Sequence, residues 1–173
     1  MRIYIVGAVS SGKSTFGRQL SAKLQIPYQS LDELVHIPDK SEPSGNRKRS
    51  LEERYAMFAS ILSRKDWIME DVGRPCFAEA QKEADLILLL ELPARIRRFR
   101  IIKRWIKQRL RIERCIYKPT FKMLRNMLQW SKDYDTGKDN LKDRIALYKE
   151  KIIILRNNKD ISKFLINISK DLT

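Results

Sequence analysis

Eight residues near the N-terminus, Gly7-Ala-Val-Ser-Ser-Gly12-Lys13-Ser14, have the types and spacing to hold a polyphosphate. Glycines let the chain turn tightly and let phosphate oxygens approach the backbone. Successive backbone N–H groups, followed by a helix N-terminus, present donors and positive partial charge to an anion. Lys13 is placed to reach β- and γ-phosphates, and the Ser14 hydroxyl to ligate an accompanying Mg2+. The context fits, because an apolar run (Ile3 to Val6) precedes the motif and a helical pattern (Phe16, Leu20, Leu24) follows it. The expected ligand is ATP with Mg2+, held by Gly7, Ser10, Ser11, Gly12, Lys13, Ser14 and Thr15.

Three further stretches carry candidate chemistry. In Trp67-Ile-Met-Glu70-Asp71-Val-Gly73-Arg74, an acid at a strand end lies where it can hold the water shell of Mg2+, so Glu70 joins Ser14 as a metal candidate. The alternative is that Glu70 and Asp71 simply end a strand in solvent. Arg74 can grip an anionic acceptor. Second, Arg97, Arg100, Arg104, Lys107 and Arg111 recur at spacings of three and four and share one helix face, while Ile96, Phe99, Ile102, Ile106 and Leu110 form another, apolar face. Arg100 and Arg104 are the catalytic candidates here, with Lys13. The far end of the stripe reads equally as a solvated basic face. Third, Asp32 follows a short apolar run. It is either an acceptor-hydroxyl residue or a helix N-cap.

The elements that must position these groups follow from the pattern. Strands are expected near residues 2–7, 26–30, 66–70, 86–91 and 151–155, with the first central. Leu86 to Leu90 and Ile152 to Leu155 are continuously apolar, as buried parallel strands are. Ser50-Leu-Glu-Glu53 is a capping box, and the helix it opens is expected to bury Leu51, Tyr55, Phe58 and Leu62. A basic helix should run from Pro93 to about Glu113, followed by helices over 119–130, 141–149 and 161–168. Residues 38–49, rich in proline and glycine, read as a loop. Strands alternating with helices indicate a three-layer α/β/α fold with a five-stranded parallel sheet. At 173 residues the chain is expected to be one domain, with 105–140 as a basic helical lid insertion.

The balance is basic, with a formal net charge of +15. Between Arg95 and Lys132 fourteen basic residues face one acid, Glu113. This segment must attract an anion, either substrate phosphates or nucleic acid. Cys76 and Cys115 lack the spacing of a metal or disulfide framework, and His36 is the single histidine. No apolar run approaches the roughly 20 residues that span a bilayer. Met1 to Val9 is too short for a signal peptide, so a cytoplasmic location without membrane attachment is expected.

These residues together resemble the adenylate-kinase-like P-loop kinases. Glu70 to Arg74 is similar to their D-G-x-P-R stretch, with Asp71 in place of glycine and Gly73 in place of proline. Leu90-Glu-Leu-Pro93 followed by Arg100 and Arg104 resembles their strand, proline and R-x-x-x-R helix, whose arginines contact the nucleotide and the transferred phosphoryl group. Their T-G-D-x-x-R acceptor stretch is replaced by Gln29-Ser-Leu-Asp-Glu. Over nearly the full length the chain is similar to a branch named for DNA topology modulation (FlaR-type proteins), through the LD-E-L stretch, the W-I-acid strand and the R-I-I-K-R-W-I-K helix leading to Y-K-P-T. The resemblance implies a P-loop phosphotransferase moving the ATP γ-phosphoryl to a small acceptor, such as a nucleotide, held by Asp32 and Arg74. The branch name implies the alternative, a nucleotide-dependent DNA-binding regulator. Tyr117, Phe121 and Trp130, interleaved with basic residues, suit that reading, but no DNA-reading motif is present. A small GTPase is disfavoured: Asn157-Asn-Lys-Asp160 echoes a guanine-reading motif in the wrong order.

Overall fold

The structure, a computed structural model, describes residues 1–113, 115 and 117–168. Strand β1 (Arg2–Gly7) runs into helix α1 (Lys13–Leu24), then β2 (Tyr28–Ser30), α2 (Leu31–Val35), β3 (His36–Pro38), β4 (Asn46–Lys48) and α3 (Leu51–Leu62). After these come β5 (Trp67–Asp71), α4 (Ala78–Glu83), β6 (Leu86–Leu90), α5 (Ala94–Arg109), α6 (Phe121–Thr136), α7 (Leu141–Ala146), β7 (Ile152–Leu155) and α8 (Asn158–Asn167).

Five strands form one parallel sheet in the order β2-β5-β1-β6-β7, with helices on both faces. The central position of β1 follows from its sequence: Ile3, Tyr4, Ile5 and Val6 are all fully buried, which requires a layer on each side. One face packs Phe58, Ile61, Phe77, Tyr134, Leu141 and Ile145 against the sheet. The other packs Phe16, Leu20 and Ile168. Because all five strands are parallel, their carboxyl ends gather along one edge, which places the loops after β1, β2 and β5 side by side.

Several sequence expectations change. Residues 38–49 are not merely a loop, because β3 and β4 pair antiparallel across a turn at Gly45. In α3, Ser50 and Glu53 do form the capping box, but Leu51 and Tyr55 are exposed and Phe58 and Ile61 carry the burial. β7 is an edge strand: Ile153 is 41% exposed and only Leu155 is fully enclosed. α5 ends at Arg109 rather than near Glu113, and α6 begins at Phe121 behind a Thr120 cap.

The largest correction concerns α5. Its expected apolar face is the exposed one, with Phe99 65% and Leu110 63% exposed, while Arg97, Ile101 and Gln108 are buried. Arg97 explains the reversal. Its guanidinium donates to the Leu92 carbonyl, to Ser131 Oγ (3.2 Å) and the Ser131 carbonyl (3.3 Å), and to Asp135, and it lies over the Tyr134 ring. A buried arginine this fully satisfied can face a core that a hydrophobic-pattern rule reserves for isoleucine. It also bolts the C-terminal half of α6 to the base of α5.

Candidate active site

The phosphate loop leaves β1 at Gly7. A Cβ there would meet the Leu90 carbonyl oxygen at 2.5 Å, so only glycine lets β1 and β6 close at this point. Ser10, at φ 59, holds a left-handed conformation rare for a side-chain residue, the kind of backbone strain that collects at functional loops. α1 starts directly after the loop with no side-chain cap and no acid in its first turn, leaving its positive end open to an anion. Thr15 sits exposed in that first turn. The Ser10 and Ser11 hydroxyls are buried without a partner.

Lys13, expected to reach the ligand, lines the cleft. Its Nζ lies over the loop, donating to the carbonyls of Gly7 (3.0 Å) and Ala8 (2.9 Å), and the residue is buried. Burial pushes its pKa down, with the charges of Glu70, Asp32 and Asp71 pulling it up.

Glu70 sits at the end of β5, buried rather than in solvent. Its Oε1 accepts from Ser14 Oγ (3.0 Å) and Ser30 Oγ (2.8 Å), while Oε2 is buried without a partner. Ser30 was not anticipated; the sequence signal was its place at the end of β2, beside β5 in the sheet. Among the described residues no group of three or more His, Cys, Asp and Glu could hold a metal unaided. A hydroxyl and a carboxylate with one free oxygen suit instead a hard cation that shares its shell with phosphates and water. The residues therefore fit Mg2+.

Asp32 is not an N-cap. Ser30 holds that position and Asp32 lies inside α2, its carboxylate paired with Arg74. Burial alone would raise the Asp32 pKa, but the charge and hydrogen bond of Arg74, with Lys13 and His36 beyond, hold it below the usual carboxylate value. Arg74 also pairs with Asp71, whose Oδ2 accepts from the backbone N–H of Gly73 (2.9 Å) and Arg74. Gly73 has φ +87, which explains why proline, with φ fixed near −65°, is absent from this turn. Burial raises the Asp71 pKa while Arg74 pulls against it.

Arg100 reaches the loop from the other side, its Nη1 3.1 Å from the Ser11 carbonyl oxygen and its Nη2 3.3 Å from Asn158 Oδ1. Asn157 caps α8 by accepting from the Asp160 N–H, so the Asn157 to Asp160 stretch is a helix start. Arg104 pairs with Glu113 at 3.0 Å. Lys13, Ser14, Asp32, Glu70, Arg100 and Arg104 meet around one cleft of roughly 540 Å3. Arg74 belongs to the same cluster only through Asp32 and Asp71.

No protein-family model matches the chain, and no curated protein sequence does either. Solved structures do share its fold. The chain is similar to a shikimate kinase from Acinetobacter baumannii in complex with shikimate (18% identity, 99% of this chain and 92% of that one, TM-score 0.58). It is also similar to a shikimate kinase from Bacteroides thetaiotaomicron (17% identity, 99% and 98%, TM-score 0.57) and a gluconokinase from Sinorhizobium meliloti 1021 (15% identity, 99% and 94%, TM-score 0.52). The architecture is the three-layer α/β/α P-loop fold. No described helix is long and apolar enough to cross a membrane.

Proposed function

We propose that the protein is an ATP-dependent phosphotransferase that moves a γ-phosphoryl group to a small hydroxyl-bearing acceptor. The observation that carries this reading is the convergence in one cleft of an uncapped phosphate loop, two arginines from α5 and the partly exposed Asp32 carboxylate across from them. Phosphoryl transfer needs positioning and charge neutralisation more than covalent chemistry, and the cleft offers both. The loop amides and Lys13 bind the triphosphate; Lys13 leaves its carbonyl partners as phosphate oxygens replace them. Ser14 and Glu70 would hold Mg2+, which when bound neutralises phosphate charge. Arg100 sits on the loop already. Arg104 exchanges Glu113 for the transferring group, and the planar forks of both suit phosphate oxygens. Asp32 accepts a hydrogen bond from the acceptor hydroxyl and can take its proton.

The lid belongs to this proposal. Arg97 fixes Ser131 and Asp135 to the body, so the closing part of the expected 105–140 is the end of α5 and the start of α6; residues 114 and 116 of that range lie outside the described residues. The neighbouring structures named for shikimate kinase and gluconokinase support a small hydroxylated acceptor. A cytoplasmic location fits this reading.

A second reading, nucleic-acid binding as in the branch named for DNA topology modulation, is favoured by one surface feature. Arg109 lies over the rings of Trp105 and Phe121, which are 4.9 Å apart, on an outer face of the basic segment. A thermal-shift series with an ATP analogue and Mg2+, run against sugars, polyols, hydroxy acids and nucleotides, tests the first reading. A stabilisation that needs both analogue and acceptor supports it. Stabilisation by DNA alone, lost steeply with salt, supports the second.

A further inference from the structure

Arg74 stands where an acceptor-phosphate arginine would be expected, yet its charge is already engaged. Nη1 pairs with Asp71 Oδ1 and Nη2 with Asp32 Oδ1, so the two tips of the fork hold two carboxylates from different elements. The two carboxylates are not alike. The Asp71 side chain is fully enclosed, while that of Asp32 is 49% exposed toward the cleft. Asp71 also ties down the backbone of the turn through Gly73 and Arg74. The order is therefore a buried anchor, a bridging guanidinium and an exposed working carboxylate.

Two consequences separate this arrangement from a phosphate receptor. If Arg74 swung away to meet a phosphate, Asp71 would keep its enclosed position without its cation, and a buried charge stripped of its partner is strongly destabilising. Asp32 and Asp71 also already share the charge of Arg74, so an arriving phosphate dianion finds no unshared positive charge on this arginine.

We infer that Arg74, anchored by Asp71, is a positioning residue that holds the Asp32 carboxylate ionised and aimed into the cleft, and that the acceptor meets this side of the cleft through an uncharged hydroxyl. This rests on the phosphotransferase reading and names the acceptor class for it. The groups facing Asp32 are Arg74 from the turn after β5, Lys13 from the phosphate loop, His36 from β3 and Asp71 from β5. His36 sits below its ordinary pKa, chiefly through burial, and so adds little charge near neutrality.

The test reads Asp32 directly. Carboxyl carbons are followed by NMR through an acid titration of the free protein, in the wild type and in Arg74→Met and Arg74→Gln. The expected result is an Asp32 midpoint below the ordinary carboxylate value in the wild type that rises by about one pH unit in either variant. An unchanged midpoint in a folded variant overturns the inference, and Arg74→Gln keeps the test open if Arg74→Met does not fold. A second arm titrates AMP, as a phosphate-bearing probe, into wild type and Arg74→Lys saturated with a non-hydrolysable ATP analogue and Mg2+. AMP that does not bind, or binds both proteins alike, agrees with the inference. AMP binding weakened tenfold or more by Arg74→Lys contradicts it. The carboxyl titration uses no nucleotide, so failure of the phosphotransferase reading, seen as loss of Lys13-dependent ATP binding, is read separately.

Discussion

The hydroxyl of Ser14 donates to Oε1 of Glu70 across 3.0 Å, joining the start of α1 to the end of β5. The same carboxylate oxygen takes Ser30 at 2.8 Å, and its partner oxygen is buried and unpaired. An unpaired buried carboxylate oxygen calls for a ligand, and the site supplies one if Mg2+ arrives with the nucleotide. Glu70→Gln removes the charge but keeps the shape. It is expected to raise the Mg2+ concentration needed for ATP binding at least tenfold while leaving metal-free nucleotide binding nearly unchanged. Calorimetric titrations at several Mg2+ concentrations check this.

Lys13→Ala is expected to reduce ATP affinity by more than a hundredfold in a protein that stays folded. The Nζ bonds only carbonyls of its own loop, so no distant packing depends on it. Equilibrium ATP binding beside a far-ultraviolet melt separates loss of the site from loss of the fold.

Arg104→Ala is expected to lower turnover far more than ATP affinity, on the order of a thousandfold in rate for an arginine acting on transition-state charge. Glu113→Gln tests the same residue from the other side. Both partners of the Arg104–Glu113 pair are largely exposed, so breaking it changes stability by less than about 1 kcal/mol. It should leave turnover equal or higher, because Arg104 is then free. Steady-state rates with the acceptor, or ATP hydrolysis by water as a proxy, check both.

Arg97→Ala is expected to cost about 3 kcal/mol, since it strips the Leu92 and Ser131 carbonyls and Asp135 of a buried donor. Urea unfolding measures it. ATP binding to the folded fraction should persist, because Arg97 faces α6 and not the cleft.

Stability should also respond to acid through Asp32. Its pKa in the folded protein lies below the ordinary value, so its contribution is fully present above about pH 4 and is lost as pH falls through the folded value. Asp32→Asn should therefore lower the urea midpoint at pH 7 and narrow its difference from the wild type near pH 3.

The fold was legible where a local pattern decides it. The phosphate loop needs only eight consecutive residues, and Leu86 to Leu90 reads as a buried strand because both of its faces are covered. What escaped was set by distant partners. The inward face of α5 is decided by Arg97 meeting Asp135, 38 residues on, and no periodicity reports that. The hairpin of β3 and β4 has three-residue strands of mixed polarity around prolines and a glycine, below any alternation signal. Asp32 was legible as a candidate, but its pairing with Arg74, 42 residues away, was not. Ser30 carried only its position at a strand end.

Phosphoryl transfer from ATP in this cleft can be followed by 31P NMR of Mg-ATP incubated with the protein and pools of sugars, polyols, hydroxy acids, nucleosides and nucleoside monophosphates. A phosphomonoester resonance should grow in step with ADP, require a hydroxyl acceptor, and be absent with Lys13→Ala. ADP formation from no acceptor class, together with salt-sensitive DNA binding that Arg100→Ala and Arg104→Ala abolish, would contradict it.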